Sequence, residues 1–172
     1  YEPEEAMVRR VDDIVHRVEA LPGVASATAS NMIPYEGGGN SSAVVPEGVA
    51  IAPGEEPRTS FFGVTPHVFK TLKVPIVAGR DFTDTDGVGK SPVAIVNGVL
   101  ARRLWPNRSD VVGQRFRLLN AKELQWITVV GVIPDFELFS PNQPKPSSYA
   151  FLSYAHGPAR NTGLTGRVAG GS

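Results

Sequence analysis

The sequence predicts an α+β domain in which strands outnumber helices. One long amphipathic helix is predicted at the start of the chain, and two short helices follow predicted strands in its middle. Most of the other apolar segments are short, and several alternate between apolar and polar residues as half-buried strands do. With 172 residues, the chain has the length of one domain, or of one domain with two lobes.

Composition narrows the possible functions. The 17 Lys and Arg residues balance the 17 Asp and Glu residues, so no long-range field recruits nucleic acid or anionic lipid. The absence of cysteine excludes a disulfide scaffold and thiolate zinc sites, without indicating a compartment. The longest apolar run, 127–133, is far shorter than the roughly 20 residues that span a bilayer. Because the chain starts at Tyr1 and ends on Gly-Gly-Ser, we expect an excised fragment of a larger protein, in which case missing membrane segments are uninformative about the parent protein.

The first helix is predicted to begin at Pro3, which suits a first helical turn, and to end at Pro22 and Gly23. Acidic and basic residues four positions apart, including Asp12 and His16, are assigned to its wet face. The apolar stripe that faces the sheet is predicted from spacings of four and three: Met7, Val11, Ile14, Val18 and Leu21.

The segment after this helix is predicted to be a strand over 24–33, because small residues alternate there between two faces. The glycine-rich segment 37–42 is predicted to be a flexible loop. A phosphate-binding loop would need a Lys before a helix, and neither follows. Segment 43–51 is at best an edge strand, because Pro46 interrupts it.

The middle of the chain holds two predicted strand–helix pairs. The first is a strand over 58–64 and a helix that Thr65 caps and that ends near Leu72. The second is a strand over 92–96 and a helix that Asn97 caps and that ends at Leu104. Further strands are predicted over 125–133, 148–154 and 164–169, with a hairpin turn at 120–123 and a proline-rich connection at 141–148.

Residues that could carry chemistry are few. Asp81, Asp84 and Asp86 with Gly87 invite a calcium hypothesis, but the EF-hand spacing fails, which favours a solvated turn. The three histidines, at 16, 67 and 156, are far apart and form no two-histidine metal motif, so ordinary surface histidines are expected. No nucleophile elbow or dinucleotide fingerprint occurs. The sequence therefore predicts no catalytic, cofactor-binding or metal-binding residue, although carboxylate pairs that meet only in the fold leave a small hydrolase open.

A locally basic region indicates a solvated face, since Arg115 and Arg117 alternate with Phe116 and Leu118 as in a strand. No interleaved aromatic residues support a platform for stacking single-stranded nucleic acid, and nucleic-acid binding is not expected. The other members of this region are Arg102, Arg103 and Arg108.

Between Phe61 and Asp135 the motifs stand in a characteristic order. They are Phe69-x-x-Leu72-x-Val74-Pro75, Gly79-Arg80-Asp81-Phe82, Ile95–Asn97 followed by Leu100–Leu104, Val112–Phe116, and Val129–Val132. The order resembles the MacB-like periplasmic core domain of ABC-type permeases, and most of all the variants in which one permease chain carries two such domains. The resemblance covers nearly the whole chain.

The resemblance implies a helix-on-sheet, porter-like lobe formed by residues 1–34 and 147–172, and an inserted, mostly β lobe at 35–146 that contains the two short helices. The final helix and strand of the family domain are expected to be missing, which could leave an apolar face exposed.

The resemblance also implies a function: a non-catalytic, periplasmic domain of an inner-membrane permease that couples ATP-driven motion of the transmembrane stalk to export or release of a substrate. The first helix would be the lever. The implied partners are a cytoplasmic ABC ATPase, a second permease domain or subunit, and a periplasmic adaptor, with no cofactor. A module that binds a ligand or peptide in a cleft between the lobes, without transport coupling, is the alternative.

Overall fold

The structure is a computed structural model and describes residues 3–33, 37–38, 40–120, 124–136, 147–156 and 162–170. In these residues the helices are α1 (Glu4–Glu19), α2 (Val68–Leu72) and α3 (Gly98–Leu104), with a 3-10 turn at Tyr154–His156. The strands are β1 (Val24–Ser30), β2 (Met32–Ile33), β3 (Gly37–Gly38), β4 (Asn40–Pro46), β5 (Arg58–Val64), β6 (Ala78–Gly79), β7 (Val93–Asn97), β8 (Arg115–Leu118), β9 (Ile127–Ile133), β10 (Tyr149–Ser153) and β11 (Gly163–Val168). The α+β prediction is confirmed.

Six strands close on themselves through their hydrogen-bonded pairings. In order around this six-stranded ring, β5 pairs with β10, β10 with β7, β7 with β9, β9 with β8, β8 with β4, and β4 with β5. The pairings β5–β10 and β7–β9 are parallel, and the other four are antiparallel. A closed ring removes the free edges that an open sheet would expose.

The expectation of a loop at 37–42 and an edge strand at 43–51 is wrong. Asn40–Pro46 is one strand with a neighbour on each side, and β3 pairs with β2. The first half of β4 pairs with β5, and the second half, 44–46, pairs with β8. Pro46 is tolerated because it is the last residue of the strand, where the missing N–H interrupts nothing that follows.

An antiparallel pair formed by the first strand, β1, and the last, β11, extends the sheet beyond the ring, and α1 packs on it. Strand β1 joins β5 at the pairing of Ser30 with Val64 and pairs with β11 along its length. Val15 of α1 packs on Ala27 and Ala29, which are 1% and 0% exposed. The small side chains of β1 let the helix approach the sheet closely, as predicted.

The predicted phase of α1 is wrong. Val8 and Val15 are buried at 8% exposure each, whereas Ile14 is 37% exposed and Leu21, beyond the end of the helix, is 55% exposed. A second stripe with spacings of three and four is formed by the valines at 8, 11, 15 and 18; of these, Val11, Val15 and Val18 pack on the sheet, and Val8 is buried without belonging to that cluster. The two stripes share positions 11 and 18, so spacing alone did not distinguish them.

The short helices differ in how they begin. Asn97 caps α3 as predicted, because its Oδ1 accepts a hydrogen bond from the Leu100 N–H at 3.2 Å. Thr65 does not cap α2, whose N-cap is His67 in the left-handed region at φ 68°. The Thr65 Oγ1 instead accepts a hydrogen bond from the Ala29 N–H at 2.8 Å and so ties β1 to the end of β5.

Both faces of the central strands are buried. On β10, Ala150 and Leu152 belong to one apolar cluster, and Tyr149 and Phe151 belong to the other. Helix α3 contributes Leu100 to the first cluster, and α2 contributes its side chains to the second. The predicted turn at 120–123 and the connection at 141–148 lie mostly outside the described residues.

A candidate ligand cleft between helix α1 and an acidic turn

A cleft of about 610 Å³ opens between α1 and the turn at 83–88, which we call the acidic turn. Its floor comes from residues 65–67 at the end of β5 and from 153–155 at the end of β10. The volume falls within the range of small-molecule binding sites, which is roughly 300–1,000 Å³.

One face of α1 forms a wall of the cleft. The residues along this face follow helical spacing: Glu5, Val8, Arg9, Asp12, Val15, His16 and Glu19. Asp12 and His16, which the sequence assigns to the solvated face, therefore line the cleft. Val11 and Val18 pack on the sheet without lining the cleft, whereas Val15 does both.

The acidic turn is held by an ion pair. Arg80 donates two hydrogen bonds to the Asp86 carboxylate, at 2.8 and 2.9 Å, and the Thr83 N–H donates a third at 2.8 Å. The hydrogen bond from Arg80 is the main cause that holds the pKa of Asp86 below its usual range. The prediction of a solvated turn holds for Asp84, which is exposed, but not for Asp86, which is 6% exposed.

Close backbone contact between β6 and β9 fixes the position of Arg80, which lies three residues before the acidic turn. Gly79 has φ +73°, and a Cβ at that position would lie 2.1 Å from the Val130 carbonyl oxygen. A Cβ on Gly131 would lie 2.4 Å from the Arg80 carbonyl oxygen. Strands β6 and β9 thus pair, Ala78 with Val132 and Gly79 with Gly131, at a distance that requires glycine in both.

Negative charge dominates the lining. Among the carboxylates, Glu5 lies 3.9 Å from Arg9, and Glu19 accepts a hydrogen bond from the Ala27 N–H at 3.2 Å. Asp12 and Asp84 make no hydrogen bond or ion pair with any residue that the structure describes. Burial raises the pKa of Asp12; His16 opposes this shift, and the nearby Asp84 carboxylate adds to it.

The three histidines are separate in sequence but lie at this end of the molecule. His16 and His67 are exposed and line the cleft, and His156 directly follows the lining residue Ala155. Burial lowers the pKa of His156, and its Nε2 has no hydrogen-bond partner among the described residues. Within the described ranges, no three His, Asp or Glu side chains are grouped so that they could hold a metal ion.

Two of the five arginines of the basic region are paired with carboxylates among the described residues. Arg115 pairs with Glu47, and Arg102 pairs with Asp135 at 2.5 Å. Two guanidinium groups lie over the ring of Trp126, which precedes β9. The Cζ atom of Arg115 is 6.0 Å from the ring centroid, and that of Arg117 is 5.1 Å from it. Sequence reasoning missed this contact because the tryptophan lies just before β9, the strand that pairs with β8, and not between the arginines in the sequence.

The family model of the MacB-like periplasmic core domain matches residues 4–171. The chain belongs to this family. It is accordingly an extracytoplasmic domain of MacB-like ABC transporter permeases, which confirms the predicted family and location. A comparison with curated protein sequences found no significant match.

Solved structures share the fold at low sequence identity. The periplasmic region of MacB from Actinobacillus actinomycetemcomitans matches with a TM-score of 0.64 and 13% identity over 92% of this chain and 64% of that chain. A domain described as a permease protein from Porphyromonas gingivalis matches with a TM-score of 0.57 and 19% identity, over 90% of this chain and 60% of that one. The extracellular domain of the noncanonic ABC-type transporter YknZ from Gram-positive bacteria gives 0.55 and 17%, over 84% and 62%.

The chain thus spans less than two thirds of the length of each of these solved chains. In the described part of the chain, no helix combines the length and the apolar character that crossing a membrane requires.

Proposed function

We propose that this domain couples ATP-driven motion of a permease's transmembrane stalk to export or release of a substrate outside the membrane, and that it has no catalytic activity of its own. The family match over residues 4–171 carries this proposal. The partners are a cytoplasmic ABC ATPase, a second permease domain or subunit, and a periplasmic adaptor. The division into two lobes, 1–34 with 147–172 and 35–146, stays a prediction. The proposed moving unit is α1 with the β1–β11 pair, because β10, although it lies within 147–172, is hydrogen-bonded into the six-stranded ring.

Helix α1 is the element through which the motion enters. Its sheet-facing valines pack on β1, so a displacement of the helix carries the β1–β11 pair with it. Its opposite flank, which includes Arg10, Asp13 and Arg17, is exposed to partners. The proposed lack of catalytic activity is supported by the histidines. In the described ranges, His16, His67 and His156 make no hydrogen bond to a nucleophile.

The test uses the intact parent permease, purified with its ATPase and placed in vesicles. The domain has no cysteine, so Arg17→Cys with Ala25→Cys introduces a spin-label pair within it. We expect the distance between these two labels to stay constant in every nucleotide state, because α1 and β1 move together. A label at Arg17→Cys alone should change mobility when ATP binds.

Two results would contradict the proposal. If no ABC ATPase co-purifies with the parent permease, the assumed partner is wrong. If ATP leaves the label at position 17 unchanged while the ATPase is active, α1 does not transmit the motion.

A second function, ligand binding without transport coupling, is favoured by the cleft between α1 and the acidic turn. Its volume and its combination of apolar and charged lining are those of a small-molecule site. This function and the coupling function are compatible, since the cleft leaves the exposed flank of α1 free.

A further inference from the structure

We infer that the cleft binds an organic cation that carries an apolar group, and that Asp12 and Asp84 receive its positive charge. The inference rests on the second function proposed above, ligand binding in the cleft, and adds the chemical class of the ligand. It starts from two carboxylates that the fold brings together from positions 72 residues apart (84 minus 12).

These two carboxylates line the same cleft from opposite sides. Asp12 on α1 is partly withdrawn from water, which is the main cause that raises its pKa; His16 opposes this shift, and Asp84 on the acidic turn adds to it. Among the described residues neither has a hydrogen-bond or ion-pair partner. Like charges that share a partly desolvated cavity repel each other, and a cation between them removes the repulsion.

The other acidic side chains that line the cleft already interact with groups of the protein. The positive charge of the ligand is therefore expected beside Asp12 and Asp84. Glu5 lies beside Arg9, the Glu19 carboxylate accepts the Ala27 N–H, and Asp86 is paired with Arg80. An anionic ligand would meet net negative charge in this cleft. A calcium or magnesium ion needs about six oxygen ligands, and two carboxylates do not supply them.

The apolar part of the ligand has its own surface. Val8, Val15, Pro66 and Tyr154 also line the cleft, and Val88 is 48% exposed at the acidic turn. An exposed valine that lines a cavity loses water contact when an alkyl or ring group covers it, which favours binding. The cleft therefore pairs two free carboxylates with an apolar surface.

The experiment titrates the 172-residue chain with three probes that share an eight-carbon chain, each below its self-association concentration. The probes are octyltrimethylammonium, octan-1-ol and octanoate, and binding is followed by backbone amide shifts in NMR. We expect saturable shifts at Asp12, Asp84 and Val88 with the cation, binding about fivefold weaker for the alcohol, and no saturable binding of octanoate.

Variants test the role of each carboxylate. Asp12→Asn and Asp84→Asn should each weaken binding of the cation by about fivefold. Asp13→Asn is the matched control, because Asp13 is exposed on the same helix and does not line the cleft. The affinity of the Asp13→Asn variant for the cation should equal that of the unmodified chain. Thermal melts check that all three variants fold.

Several outcomes would overturn the inference. They are no saturable binding of the cation, equal affinity for octanoate, or an effect of Asp13→Asn as large as that of Asp12→Asn. Saturable binding of the alcohol that equals that of the cation would show a ligand cleft without charge selection, so the second proposed function would stand while the cation class fails. The label experiment on the intact permease is independent of all these outcomes.

Discussion

Replacing Val15 with Ala should destabilise the domain more than replacing Ile14, although isoleucine is the larger side chain. Val15 is 8% exposed against Ala27 and Ala29, and its truncation removes two carbons from this contact. At about 0.8 kcal/mol for each buried carbon, the loss is about 1.6 kcal/mol before any cavity term. The better helix propensity of alanine returns roughly 0.5 kcal/mol, which leaves a net cost of about 1–2 kcal/mol.

Ile14→Ala removes three carbons but from a residue that is 37% exposed beside the valine stripe. The smaller burial loss is offset by the same gain in helix propensity, so the net change should stay within about 0.5 kcal/mol. The free energy of unfolding is measured for both variants by denaturant titration. A larger loss for Ile14→Ala than for Val15→Ala would refute the observed phase of α1 and restore the one that the sequence spacing predicts.

Two further predictions concern the β6–β9 contact and the acidic turn. Gly131→Ala should cost about 1–3 kcal/mol, because the new Cβ would lie 2.4 Å from the Arg80 carbonyl oxygen, whereas Gly166→Ala, with no atom closer than 3.9 Å, should be near neutral in the same thermal melts. Asp86→Asn should cost about 1–3 kcal/mol at neutral pH. Since the folded pKa of Asp86 lies below its ordinary value of 3.8, this difference should be complete above 3.8 and vanish as pH falls through the lower, folded pKa. A difference that does not change with pH would disprove the role of the ion pair.

The predictable parts of the fold are those that local pattern determines. The strands predicted over 58–64 and 92–96 and the Asn97 cap follow from apolar runs and a capping side chain. The structure has the strands at Arg58–Val64 and Val93–Asn97, and the cap is present. The motif order from Phe61 to Asp135 also sufficed to identify the family. These signals act over a few residues, so the remainder of the chain does not alter them.

Long-range pairing determines the rest. The sequence predicts a loop followed by an interrupted strand where the structure has β4. The prediction fails because the two neighbours of β4, β5 and β8, are distant in sequence and each pairs with only half of it. The closure of the ring depends on the parallel pairing of β5 with β10, whose partners are about 90 residues apart, as in Tyr149 with Ser60. No local pattern encodes such a pairing.

The cleft was unpredictable for the same reason. Asp84 belongs to a run of aspartates that is typical of a solvated turn, and Asp12 belongs to a helix face that the sequence predicts to be solvated. Asp12 and Asp84 come together only because α1 packs on β1, β6 pairs with β9, and Arg80, which follows β6, holds the acidic turn through Asp86. The general expectation of a cleft between lobes came from the family resemblance, but its lining residues did not.

Helix α1 links the two proposed functions, because it is the proposed lever and also one wall of the cleft. Any motion of α1 relative to the acidic turn changes the separation of Asp12 and Asp84, and with it the affinity for a cation between them. Coupling between two such events is reciprocal, so a cation that holds the cleft closed opposes the motion by the same free energy. A bound cation should therefore reduce the ATP-dependent change at the Arg17→Cys label, and Asp84→Asn should abolish that effect without altering the label when no cation is present. Since Asp84 lies on the turn and not on α1, this variant separates an effect transmitted through the cleft from direct damage to the helix.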